Sequence, residues 1–333
     1  ADRLHTMNIK DPANPRLVHT LDVPGMLTTG GWSLTVNPPV APRRFLYLIG
    51  AAFNQIALIN LETPSQPKVE RIVPFRDGWH FEAEGHVYDA GDRLYWAGVR
   101  FEKNAWQCAL ISMLKKDDGR DLEWESATIL PGVTGVGVRA GHVQLCIEDK
   151  TCYIVSLEPS ETSGFITVQT FMHEAPARKR MPMAMLTTVD IADPKAPRVL
   201  GTQTLHQAKP YTPFYYRHII CRDKRLYILG EGGVPKDGPI PQAFYIYDVK
   251  DPAKPVFLSS WHDPAASNWF QAMYDMNLLS PYPLLITKNY ITGLTLIDVH
   301  DPIHPSVLWR EPAERERDDG YTEWIYRKNG FNA

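Results

Sequence analysis

Only four cysteines occur in 333 residues. The chain is therefore no disulfide-built scaffold and must rely on a buried core. The cysteine spacing matches no zinc motif. Cys146 and Cys152 flank Ile147-Glu148-Asp149-Lys150-Thr151, a predicted hairpin turn; a cross-strand bridge and two free thiols both fit that spacing. Cys108 and Cys221 read as ordinary buried thiols. Positive charge is also not in excess. Thirty-five basic against 38 acidic residues leave a net charge of −3, and without a basic field nucleic acid is not a default partner. No apolar run reaches about 18 residues, so no transmembrane segment is expected. No signal peptide is visible. Ala1 stands where an initiator Met is expected, which suits a removed upstream segment and sets secretion or the periplasm ahead of the cytoplasm as the expectation. Missing too are a Gly-x-Ser-x-Gly elbow, a phosphate loop and a Rossmann fingerprint. Gly132 to Gly137 is glycine-rich but precedes a strand, the wrong order for cradling phosphate.

Proline and aromatic residues, by contrast, are plentiful: 28 Pro, 15 Tyr, 12 Phe and 9 Trp, within a chain that is 44% hydrophobic. Much of the proline falls into one phrase written five times. Asp11-Pro12-Ala13-Asn14-Pro15, Thr63-Pro64-Ser65-Gln66-Pro67, Asp193-Pro194-Lys195-Ala196-Pro197, Asp251-Pro252-Ala253-Lys254-Pro255 and Asp301-Pro302-Ile303-His304-Pro305 share [D/T]-P-x-x-P. Each follows an apolar run whose next-to-last residue is Asn or Asp: Asn8, Asn60, Asp190, Asp248 and Asp298. Such runs suit a buried strand. The proline pair forbids a helix and removes donors, so the chain must turn and continue as an edge strand. Upstream lie two further strand-like runs joined by a tight turn, clearest at Tyr216 to Ile220 and Leu226 to Leu229. The unit is four antiparallel strands in about fifty residues, the size of a propeller blade.

The predicted fold is therefore all-β: one β-propeller domain over residues 1–333. Five nearly whole blades span about 28–75, 79–131, 136–205, 213–262 and 269–310. The blade at 79–131 replaces the proline phrase by Lys115-Lys116-Asp117-Asp118-Gly119, and the next carries an inserted loop at about 158–185. The N-terminus supplies the last two strands of a sixth blade, and Tyr321 to Phe331 offers material for its first two. Six blades are the count, or seven if residues precede Ala1. Joining both ends in one blade removes the exposed edges of an open ring.

The phrases beginning at Leu294 (Leu-Thr-Leu-Ile-Asp-Val-His-Asp-Pro-x-x-Pro) and at Thr188 (Thr-Val-Asp-Ile-Ala-Asp-Pro) resemble the LVIVD-repeat family of β-propellers over most of the chain. That resemblance implies the fold and little about activity. A looser likeness is to the selenium-binding-protein and methanethiol-oxidase propellers, which use similar turns and are metal-associated. No paired histidines precede Gly31-Trp32 here, so their copper chemistry is not carried over.

In a propeller the first strand of each blade lines the central channel. Matching those strands through their hairpins aligns His86, His142, His218 and Asp275, with Glu323 from the closing blade. Three imidazoles and a carboxylate suit a divalent transition metal: Zn, Fe, Mn, Ni or Cu. Such a site polarises a bound oxygen or lowers the pKa of a bound water. The plainer reading is a polar channel holding ordered water, its histidines repeated with the blade. Near the channel mouth His80 and Glu84 form a candidate acid–base pair, and Tyr216 with Arg217 is suited to orienting an anionic or aromatic substrate. Packing roles account for these residues equally simply. In the insertion, Met181, Met183 and Met185 share a face if extended, beside Arg178-Lys179-Arg180, a pattern fitting a lid or docking loop. Two functions result. The first is a small-molecule enzyme with a metal-assisted axial site, its class open among hydrolase, lyase and oxidoreductase. The second is a non-catalytic scaffold whose propeller face holds a partner protein.

Overall fold

In the computed structural model the structure describes residues 3–8, 10–11, 14–23, 44–49, 55–81, 87–102, 105–130, 143–157, 184–206, 213–232, 242–262, 273–279, 283–289 and 293–310. Among these there is no α-helix; strands dominate, and no helix is long and apolar enough to cross a membrane. The strands form six antiparallel sheets in chain order. The first pairs β1 (Arg3–Asn8) with β2 (Arg16–Asp22), and the second joins β3 (Phe45–Ile49), β4 (Gln55–Asn60) and β5 (Lys68–Pro74). In the third, β6 (His80–Phe81) and β7 (Tyr88–Asp89) both pair with β8 (Arg93–Glu102), followed by β9 (Ala105–Lys116) and β10 (Asp121–Ile129). The fourth comprises β11 (Gln144–Glu148), β12 (Thr151–Leu157), β13 (Ala184–Asp190) and β14 (Arg198–Thr204). The fifth contains β15 (Pro213–Arg222), β16 (Arg225–Gly232), β17 (Gln242–Asp248) and β18 (Val256–His262). The sixth is β19 (Met273–Leu279), β20 (Leu284–Asn289), β21 (Gly293–Asp298) and β22 (Ser306–Arg310). The chain divides into two compact units, Ala1–Leu205 with the first four sheets and His206–Ala333 with the last two.

The proline phrase works by local chemistry. The Asn or Asp ending the third strand accepts a backbone N–H two residues on: Asn8 from Lys10, Asn60 from Glu62, Asp190 from Ala192, Asp248 from Lys250 and Asp298 from His300. The first residue of the phrase then closes a turn, its carbonyl accepting the N–H three residues on, as in Asp251 from Lys254 and Asp301 from His304. Asp193, Asp251 and Asp301 also cap the N–H two residues on with their carboxylates. Proline at the second turn position presets φ, and the closing proline has no N–H to satisfy.

Every outermost strand carries a one-residue bulge. The extra residues are Val18, Glu70, Glu125, Leu200, Leu258 and Leu308. Bulges twist an edge away from foreign strands. The residue after the bulge ties several sheets to the next one. Arg71 pairs with Asp121 at 2.7 Å, Ser126 Oγ donates to the Pro194 carbonyl at 2.8 Å, and Ser259 Oγ donates to the Pro302 carbonyl at 2.5 Å.

Because sheets stack face to face, the middle strands bury both faces. Along β8, Leu94 and Trp96 join Phe45, Tyr47, Ile56 and Leu58 of the second sheet, while Tyr95, Ala97 and Val99 join Leu145, Ile147, Cys152 and Ile154 of the fourth. Alternation of side chains along a strand dictates this division. Trp96 is sealed by Phe75, stacked at 5.0 Å, and by Trp124, edge-on at 6.0 Å. Tyr227, Leu229, Phe244 and Ile246 pack likewise on Leu278, Leu285, Ile297 and Val299 between the fifth and sixth sheets. Register also settles the thiols. Cys146 opposes Tyr153 and Cys152 opposes Ile147, so the two cysteines occupy opposite faces and cannot bridge. No disulfide links any of the four cysteines, and burial pushes the Cys152 thiol far up.

Candidate functional site

The third sheet lacks the proline phrase, and a charge network stands in its place. Lys115 Nζ donates to Asp89 Oδ1 at 2.5 Å and to the Gly91 carbonyl at 2.8 Å. Arg93 Nε reaches Glu125 Oε2 at 2.8 Å, Ser112 Oγ donates to the same carboxylate at 3.0 Å, and Arg93 also holds Asp92. The Glu125 pairing raises the Arg93 pKa. Asp89, Asp92, Arg93 and Lys115 are thus fixed around the hairpin at the end of the first strand.

The inner hairpins share one register. In the fourth sheet Glu148 opposes Thr151 across the two-residue turn Asp149-Lys150, and Asp149 takes φ 54°. In the fifth, Arg222 opposes Arg225 across Asp223-Lys224, at φ 54° and 58°. In the third, the Ala90 N–H donates to the Arg93 carbonyl across Gly91-Asp92. In the sixth the last pair is Leu279 with Leu284. Four residues before the closing residue, the rung carries Gln144 opposite Val155, His218 opposite Leu229 and Asp275 opposite Lys288. Counting back from Ala90 reaches His86.

Just before this rung the inner strands break register. One extra residue, Arg217, lies between Tyr216, opposite Gly230, and His218. In the sixth sheet Tyr274 is the extra residue between Met273 and Asp275. In the third sheet Phe81 opposes Gly98 and Tyr88 opposes Tyr95, so seven steps on the inner strand match three on its partner. Bulges re-aim side chains and concentrate beside functional sites. Topology adds a second asymmetry. In the fourth, fifth and sixth sheets the inner hairpin and the turn phrase leave one end, whereas the first strand enters from the other. The 158–183 connection between β12 and β13 leaves from that entry end.

His218 is described in full: partly buried and sharing a sheet face with its partner Leu229. His80 opposes Val99, the rung matched by Tyr215 opposite Glu231. The backbones of His80, Tyr216, Arg217 and Asp275 are placed, but their side chains lie outside the described part, as do Glu84, His86, His142 and Glu323 altogether. Met181 and Met183 are likewise outside it. Matching His142 to His218 needs a turn two residues longer than the one present, so the register puts Gln144 on that rung instead. The signal was in the sequence, since Glu148 to Thr151 and Arg222 to Arg225 have the same turn length. Among the described residues no three His, Cys, Asp or Glu side chains form a metal-binding group.

No family model matches the chain, and no curated protein sequence matches it. Solved structures do. A hypothetical selenium-binding protein from Sulfolobus tokodaii superposes with a TM-score of 0.59 at 12% identity, covering 90% of this chain and 68% of that one. Sqt1 from Saccharomyces cerevisiae gives 0.41 at 9% identity over 84% and 76%. An α-L-arabinofuranosidase from Fusarium graminearum, solved with an iminosugar inhibitor, gives 0.44 at 8% over 79% and 76%. The first of these shows the fold alone: the all-β sheets are those of a propeller-type protein, in keeping with the likeness to selenium-binding-protein propellers.

Proposed function

We propose that the chain is a six-bladed propeller closed by its N- and C-terminal strands, and a small-molecule enzyme with a divalent transition metal on its axis. Ring closure is supported by faces left open in the sheets at the two ends of the chain. Phe244 and Ile246 are fully buried, whereas Leu294, at the position matching Phe244, is 36% exposed. Trp309, at the position where Ser259 ties one sheet to the next, is 49% exposed. Met7 of the two-stranded sheet is exposed in the same way, at 45%.

The observation that carries the functional reading is the coincidence of register break and polar residue on one rung of separate inner strands. In this reading His86 and His218, with Asp275 or Glu323, hold the metal from that rung, and His142 joins them from two residues before it in the chain. The metal would supply Lewis-acid polarisation of a bound oxygen. His80 and Glu84 would move a proton at the mouth, and Tyr216 with Arg217 would orient the substrate. The reaction class stays open among hydrolysis, elimination and oxidation.

Plasma mass spectrometry of protein purified without chelator, beside the His218→Ala variant, tests it. Near-stoichiometric Zn, Fe, Mn, Ni or Cu that is lost in the variant supports the reading. Protein from its native source with no metal above background sinks it and turns attention to a docked partner.

A further inference from the structure

We infer that the inner hairpin of the fifth sheet carries an oxyanion site built on Arg222, fitted to the phosphate or carboxylate group of a small molecule. This site does not depend on the axial metal reading. Arg222 closes the hairpin opposite Arg225, across Asp223-Lys224, so residues 222–225 hold three cations and one carboxylate. The two guanidinium groups differ in their surroundings. Arg225 donates to Asp248 Oδ2 at 2.8 Å and to the Lys224 carbonyl at 3.4 Å. Arg222 has no ion pair among the described residues, and its Nη1 is buried without a hydrogen-bond partner. A guanidinium stays charged throughout the physiological pH range, and burying part of that charge unpaired is unfavourable. The hairpin does not require a cation at this position either. The residue closing the inner hairpin is Ala90 in the third sheet, Glu148 in the fourth and Leu279 in the sixth.

The surroundings suit an anion. Alternation puts Arg222 on the face of Ile220, which with Tyr227 packs toward Leu278, Leu285 and Ile297 of the sixth sheet. An anion held by Arg222 thus sits at the rim of an apolar layer, where water screens charge-assisted bonds less. The Tyr227 hydroxyl feels both Arg225 and Arg222, and burial pushes its pKa up to about 12. It therefore remains a neutral O–H, which donates to an anion rather than repelling it. The fork of the Arg222 guanidinium matches two oxygens of one phosphate or carboxylate group.

The test compares the full chain with Arg222→Met and Arg222→Lys by thermal melts and calorimetric titration. Sodium phosphate and sodium acetate are the probes, each exchanged for chloride at constant ionic strength. In chloride alone Arg222→Met should melt no lower than wild type, because it removes a stranded charge rather than a bond. One or both probes should raise the wild-type melting temperature, and which of them does so tells phosphate from carboxylate. Affinity for that probe should fall at least about tenfold in Arg222→Met, and less in Arg222→Lys, which keeps the charge and loses the fork. Anion taken up by an axial metal persists in both variants, so only the Arg222-dependent part counts. A wild type that responds to neither probe, or variants that respond as wild type does, overturns the site. An Arg222→Met chain destabilised in chloride overturns it too, because Arg222 then braces the sheet.

Discussion

Arg93 is expected to hold the third sheet together. Its guanidinium donates twice to Glu125, at 2.8 and 3.3 Å, and the carboxylate is only 3% exposed. Replacing Arg93 by Met leaves a buried carboxylate with the Ser112 hydroxyl as its remaining donor among these contacts. Breaking a buried pair from one side costs about 3–5 kcal/mol. The Arg93 side chain is one-fifth exposed, so screening places this case near the lower end, about 3 kcal/mol. For a unit of 205 residues that is a fall of roughly 6–12 °C in melting temperature.

The assay is scanning calorimetry of Arg93→Met, Glu125→Leu and the double variant. Removing both partners should restore most of the loss, because an apolar pair of similar volume no longer strands a charge. A single variant melting within about 2 °C of wild type, or a double variant as damaged as the two singles summed, refutes the argument.

Gly98 faces Ile111 so closely that an added Cβ would lie 2.2 Å from its Cδ1 and 3.4 Å from the Trp79 ring; Gly98→Ala should cost about 1–3 kcal/mol, and Ile111→Val, which removes that methyl, should return much of it in a denaturation series. The Asp248 carboxylate lies below its ordinary pKa because it accepts the Lys250 N–H and faces Arg225. Its folded value being depressed, the stabilisation is complete above the unfolded value of about 3.9 and fades as pH falls through the folded one. Asp248→Asn keeps the turn-capping oxygen, so its melting temperature should converge on wild type in acid; a constant gap from pH 7 to pH 3 contradicts this. Mass mapping under non-reducing conditions should find Cys146 and Cys152 unlinked, and native protein should titrate slowly with a thiol reagent at buried Cys108, Cys146 and Cys152.

The repeat was legible because its causes are local. Asp251, Pro252 and Lys254 meet within one turn, and the Asp248 cap reaches only two residues ahead. Blade limits at 79–131, 136–205, 213–262 and 269–310 therefore agree with the sheets His80–Ile129, Gln144–Thr204, Pro213–His262 and Met273–Arg310. The device replacing the missing phrase was not legible, because Lys115 and Asp89 are 26 residues apart. Nor was the interruption between β6 and β7, which becomes visible only when the opposing residues of β8 are known. The cysteines illustrate the same limit: their spacing permits a bridge, and one residue of register puts them on opposite faces.

Internal repetition offers a way to separate structure from function within this one chain. Positions that serve the blade keep their residue type from sheet to sheet. The turn cap is Asn or Asp five times, and proline closes the phrase five times. The inner rung behaves differently. It holds Gln144, His218 and Asp275, polar throughout and never the same residue twice among the described strands. Their cross-strand partners differ as well, Val155, Leu229 and Lys288, so each sheet answers this position with its own chemistry. The register break before His218 and Asp275 points the same way, because it alters local twist where uniform packing needs no alteration. Variation at a fixed register therefore sets this rung apart from the positions that merely build the blade.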